Sequence, residues 1–222
     1  MMTAYDTLRV ESARPRVLLV TVNRPEVSNA LNTRAGEELR AVFAACDADP
    51  SAHRAVVLTG AGDRVFCAGA DLKERRTMAE EAWLDQHRIF ERMIHAIIDC
   101  PVPVVAAVNG HAYAGGCELV LCSDFAYAVA SARFALTEIT IGIMPGGGGT
   151  QTLPRAVGER RAKEIILTGL PFSAEEALKW GVVNRLCEPR DLLPEALRTA
   201  EQIAASPADV VRKTKAALKE LR

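Results

Sequence analysis

The chain has 222 residues, 49% of them hydrophobic, and its 27 basic and 28 acidic side chains leave a formal net charge of −1. That length and apolar share suit one domain with a large core, or one domain with a small appendage. The balanced charge excludes a strong non-specific pull toward nucleic acid or an anionic membrane. No stretch approaches the ~20 apolar residues a membrane span needs. Met1 to Val10 lack the cationic segment, apolar run and small-residue cleavage site of a secretory leader, so the expected location is the cytoplasm.

In chain order, Arg16 to Asn23 is a β-branched apolar run and reads as a strand, stopped by Arg24-Pro25. From Asn32, Leu39, Val42, Phe43 and Cys46 recur at helical spacing until Asp49-Pro50 ends the pattern. Ala55 to Thr59 is a second strand, and a loop from Asp63 to Asp71 leads to a long polar helix from Ala79 to Asp99. Pro101 to Val108 is a third strand, turned by Asn109-Gly110, after which a glycine-rich segment opens a helix near Gly116-Cys117-Glu118. Phe125 to Val129 and Arg133 to Leu136 are the fourth and fifth strands. A glycine-rich loop from Pro145 to Gly149 precedes a helix from Thr150 to Ala156, and from Ala174 the chain is mostly helical with one short strand near Val182 to Asn184. The alternation of strand, loop and helix predicts an α/β architecture with mostly parallel, buried strands. The basic clusters Arg160-Arg161-Ala162-Lys163 and Arg212-Lys213-Thr214-Lys215 read as solvated helix faces.

Six scattered cysteines without a Cys-x-x-Cys pair read as free, mostly buried thiols of a reducing compartment. Four histidines show no metal-ligand spacing, and no metal site is expected. The glycine clusters are not nucleotide loops. Gly146 to Thr150 lacks the lysine of a P-loop and does not fit G-x-G-x-x-G, and Gly110 to Gly116 has the same lack. Gly115 and Gly116 stand where a helix begins, so two readings stay open: a tight packing turn, or unpaired N–H groups that hold an oxyanion.

Four co-linear segments carry a resemblance. They are Asn23-Arg24-Pro25 with Asn29-Ala30-Leu31; Phe66 to Lys73; Ala107 to Gly110 through Gly115-Gly116-Cys117-Glu118 to Asp124; and Phe134 to Glu138 followed by Gly142 to Gln151. Together they resemble the enoyl-CoA hydratase/isomerase superfamily, the crotonases. The resemblance implies a spiral of ββα units over residues 1–188, a C-terminal helical region from 189, and homotrimers or pairs of trimers. The family carries two more helices beyond Arg222, so 189–222 is read as a shortened version of that region. It also implies an acyl-CoA substrate, with coenzyme A part of the substrate and no permanently bound cofactor.

Carried over residue by residue, the resemblance assigns Glu118 and Glu138 as the acid/base pair, Glu118 on the water side and Glu138 delivering a proton to Cα. It assigns the backbone N–H groups of Ala68 and Gly115 as the oxyanion hole. Val27, Ala30, Ala68, Gly69, Ala70, Asp71 and Leu72 are expected along the substrate and CoA channel. Both glutamates together favour hydration of a trans-2-enoyl-CoA to a 3-hydroxyacyl-CoA, over an isomerase or another thioester enzyme of the fold. An RNA-binding relative is disfavoured by a 5% aromatic content and the near-zero net charge. His111, Cys67 and Cys117 read as structural. Trp83 and Phe90 line an acyl pocket or belong to the core; periodicity does not choose.

Overall fold

The computed structural model describes residues 5–220; residues 1–4 of the stretch read for a leader, and the last two of the C-terminal region, lie outside it. Three of the long strands, at residues 55–60, 104–108 and 125–129, are each followed by a short one in a second sheet and then by helix. β1 (Leu8–Arg14) and β2 (Val17–Val22) form an antiparallel pair. The reversal between them places Arg16 at a φ of 60°. After β2, Asn32 caps α1 (Thr33–Ala48) by accepting from the Ala35 N–H.

The repeat then begins. β3 (Ala55–Gly60) leads to β4 (Val65–Cys67), then α2 (Leu72–Arg76) and α3 (Glu80–Ile98). β5 (Val104–Val108) leads to β6 (His111–Tyr113) and α4 (Gly115–Cys122). β7 (Phe125–Val129) leads to β8 (Arg133–Ala135), a 3-10 turn (Glu138–Ile141), α5 (Gly149–Val157) and α6 (Glu159–Thr168). β9 (Phe172–Ser173), α7 (Ala174–Trp180) and β10 (Arg185–Cys187) follow, and α8 (Pro189–Ala205) and α9 (Ala208–Glu220) end the described chain.

One sheet runs β1-β2-β3-β5-β7-β10, parallel from β2 onward; the other runs β4-β6-β8-β9, antiparallel only at β8-β9. β2, β3 and β5 are buried at every position, so their sequences are continuous apolar runs, as strands covered on both faces require.

Several expectations shift. The third strand starts at Val104, not Pro101, because the prolines at 101 and 103 have no N–H for a ladder. The late strand lies at Arg185–Cys187, three residues beyond Val182 to Asn184. β1, β4, β6, β9, α2 and α6 went unpredicted. The second basic cluster is not wholly solvated. Lys215, with 14% of its side chain exposed, donates to Asp124 Oδ2 at 2.6 Å and to the Val102 carbonyl at 2.9 Å, holding α9 against the ends of β5 and β7. In the first cluster Arg161 stacks over the Trp180 ring at 4.2 Å. α8 lies across the long sheet and buries Leu192, Ala196, Leu197, Ala200 and Ala204 in the common core. Among the described residues five of the six cysteines are buried, and no helix is long and apolar enough to cross a membrane.

Candidate active site

β4, β6 and β8 end at one cavity of about 680 Å³, and the segments that follow them supply much of its wall. The first wall is the segment after β4. It is fixed by Asn29, a buried side chain at a φ of 54° that donates to the carbonyls of Ala61 (2.9 Å) and Val65 (2.8 Å) and accepts from the Arg24 N–H (3.1 Å). Arg24 in turn donates to the Ala30 carbonyl (2.6 Å) and to Asp71 Oδ2 (3.0 Å). Asp71 also caps α2 by accepting from the Lys73 and Glu74 N–H groups, and these bonds hold its carboxyl below its usual range against the opposing effect of burial. The N-terminal signature is thus a clamp that sets the path of residues 68–72.

That path decides which amide is available. Ala68 lines the cavity, but its N–H donates to the Ser28 carbonyl at 3.1 Å. Leu31 donates to Gly69 and accepts from Asp71 in an isolated parallel bridge, leaving the Ala70 N–H between them without a protein acceptor among the described residues. The oxyanion assignment to Ala68 is therefore corrected: the amide free to face the cavity is that of Ala70. The Gly115 N–H, in the first turn of α4, is likewise without a protein acceptor among the described residues. The two strands of the site touch here, since a methyl built on Gly115 would stand 3.9 Å from the Ala70 nitrogen. Gly116 permits the approach, because a Cβ there would lie 2.0 Å from the Cys67 carbonyl oxygen.

Glu118, one turn into α4, is 4% exposed and faces the cavity. Its Oε1 accepts from the Gly147 N–H at 2.8 Å and the Gly149 N–H at 2.9 Å. The glycine-rich loop excluded as a phosphate cradle does cradle an anion: the chain's own carboxylate. Glu138 opens the 3-10 turn after β8 at 6% exposure and lines the same cavity. Its Oε2 is sealed from solvent without a hydrogen-bond partner among the described residues. Burial raises the pKa of both carboxyls. For Glu118 the two glycine N–H bonds oppose the rise, whereas Glu138, with the charge of Glu118 nearby, is pushed up to about 7.

Of the other expected residues, Ala70 and Leu72 line the cavity. Val27, Ala30, Gly69 and Asp71 do not; Ala30 and Asp71 are engaged in the Arg24 clamp, so their place is to support the wall. Trp83 and Phe90 both line the cavity, Phe90 also touching the core. Cys67 and Cys117 are fully buried, and His111 Nδ1 accepts from the Arg133 N–H at 3.2 Å. Two features were missed: the Gly147–Gly149 hold on Glu118, and Arg75 in the cavity wall.

A family model described as Enoyl-CoA hydratase/isomerase matches residues 13–221. The Crotonyl-CoA hydratase of Syntrophomonas wolfei is 36% identical over 217 residues, covering 98% of this chain and 83% of the relative. The Short-chain-enoyl-CoA hydratase of Clostridium acetobutylicum is 39% identical over 207 residues, covering 91% of this chain and 77% of the relative. The crystal structure of Enoyl-CoA Hydratase from Bacillus anthracis superposes with a TM-score of 0.93 at 41% identity, over 96% of this chain and 82% of that one. By sequence and by the ββα spiral alike, the chain belongs to the enoyl-CoA hydratase/isomerase family and has the crotonase fold.

Proposed function

We propose that the chain catalyses reversible addition of water to a trans-2-enoyl-CoA, giving a 3-hydroxyacyl-CoA. The observation that carries this reading is the meeting of Glu118, Glu138 and the Ala70 and Gly115 amides on one cavity. The thioester oxygen lies between the two N–H groups. Glu118, as carboxylate, takes a proton from water while the water oxygen bonds to C3. The C2–C3 π electrons move toward the thioester, and the two amides stabilise the resulting oxyanion, each such donor typically contributing ~3–4 kcal/mol. Glu138, as carboxylic acid, donates its proton to C2. Glu118 ends protonated and Glu138 ionised, and a proton passes back before the next turnover. The roles suit the environments: two N–H donors favour the charged form of Glu118, while burial and a neighbouring charge keep a proton on Glu138 near neutral pH.

The test is hydration of crotonyl-CoA, followed as loss of enoyl absorbance. Turnover is expected. Failure with every 2-enoyl-CoA tried, together with double-bond migration in a 3-enoyl-CoA, would replace the hydratase reading by an isomerase one.

A further inference from the structure

Beyond the glutamates the cavity wall mixes apolar residues, Met93, Ile94 and Ile141 among them, with the neutral polar side chains of Thr137, Thr150 and Gln151, the His87 ring and one arginine, Arg75. Arg75 is held in place from three sides. Its Nε donates to Gln86 Oε1 at 2.7 Å, and Gln86, 1% exposed, is itself fixed by donating to Thr33 Oγ1 (2.9 Å) and Glu74 Oε2 (2.8 Å). The guanidinium carbon lies 5.7 Å from the centre of the Trp83 ring and 5.5 Å from that of Phe90. Among the described residues no carboxylate comes within 4.0 Å of the guanidinium, and its two terminal nitrogens have no hydrogen-bond partner. Nor are they sealed away, since among the described residues the buried unpaired side-chain nitrogens and oxygens are only Arg54 Nε and Glu138 Oε2. Arg75 itself lines the cavity, where the charges of Glu74 and Glu138 act on it from beyond ion-pair distance.

A partly desolvated, aromatic-flanked guanidinium with a vacant fork is the recognition element for a planar anion. We propose that Arg75 selects acyl chains ending in a carboxylate, so that the substrate class is the mono-CoA thioester of an unsaturated dicarboxylic acid. The inference rests on the acyl-CoA reading of the cavity and specifies its far end.

The test measures binding, not turnover, and so does not depend on hydratase activity. Succinyl-, glutaryl- and adipyl-CoA are each compared by calorimetry with the corresponding terminal amide, which has the same size and no charge. In the wild type at least one acid is expected to bind on the order of 10- to 100-fold more tightly than its amide. Arg75→Met should bring that ratio to about 1, and Arg75→Lys should leave an intermediate value. A wild-type ratio near 1 for all three pairs overturns the proposal. So does an Arg75→Met variant that weakens acid and amide alike, which marks a merely structural arginine. If none of the six thioesters binds, the acyl-CoA reading fails, and this proposal with it.

Discussion

Glu118 and Glu138 face one cavity from neighbouring repeats of the spiral, yet their carboxyls are held in opposite ways. Glu118 comes from the first turn of a helix and rests one oxygen on two backbone N–H groups of a glycine loop. Glu138 comes from a single 3-10 turn and keeps one oxygen sealed and unpaired. Both lose water on folding, but Glu118 receives two N–H donors from another segment in return, whereas among the described residues the only main-chain donor to Glu138 is its own N–H. The pair teaches that a shared cavity does not give two acids the same proton affinity; the backbone around each side chain sets it. Such a split is what one base and one acid working at the same pH require.

The largest expected effect comes from removing either charge. Glu118→Gln and Glu138→Gln should each lower kcat by roughly 10²–10⁴-fold on crotonyl-CoA, with far smaller changes in binding of a saturated acyl-CoA. A variant with full kcat would remove that residue from the chemistry. The pH profile sharpens the contrast. If Glu138 is the proton donor, activity falls as pH rises through about 7, where it loses its proton. The residual activity of Glu138→Gln should lack that alkaline limb. An identical limb in the variant would assign it to another group, Glu118 included, because neighbouring carboxyls titrate as a coupled pair.

The next effect is on stability. The folded-state pKa of Glu138 is raised from the usual 4.5 to about 7. The native state therefore binds more protons than the unfolded state between those values, and stability declines as pH rises through that window. At 1.36 kcal/mol for each pH unit, the full loss is on the order of 3 kcal/mol. Glu138→Gln removes the titration. The variant is expected to match the wild type near pH 4 and to exceed it in denaturation free energy at pH 8. A gap that does not change with pH would show that Glu138 is not protonated more readily in the folded state.

Much of this was legible in the sequence. The long strands are continuous apolar runs, α1 and α3 have clear periodicity, and both glutamates stand in recognisable motif positions. What stayed hidden depends on contacts distant in sequence. β4, β6 and β9 have three residues or fewer, too short to carry a period. Which amide of residues 68–71 is free depends on the bonds from Ser28 and Leu31, roughly 40 residues away, and only they separate Ala70 from Ala68. The glycines at 147 and 149 looked like a failed phosphate loop because the anion they hold lies about 30 residues upstream. Arg75 falls in a charged stretch between the loop ending at Asp71 and the helix from Ala79, where no element was assigned, and it is the Gln86 bond and the packing of Trp83 and Phe90 that hold it at the cavity.

The smallest effect probes the cradle directly. A Cβ on Gly147 would meet Glu118 Oε2 at 2.5 Å and Cδ at 2.9 Å, so Gly147→Ala must displace the carboxylate or the loop. The backbone at 147 lies outside the left-handed region, so alanine is not opposed by its own φ. The cost therefore falls on the Glu118 contact. A displaced base loses alignment with its water, and kcat is expected to fall about tenfold, or 1.4 kcal/mol of barrier. The acid limb of the pH profile should also move to higher pH, since a carboxylate pushed off two N–H donors is more easily protonated. That second readout separates the cradle from simple crowding. Overpacking alone would lower kcat and leave the limb in place, and Glu118 would then owe its ionised form to something other than the glycine loop.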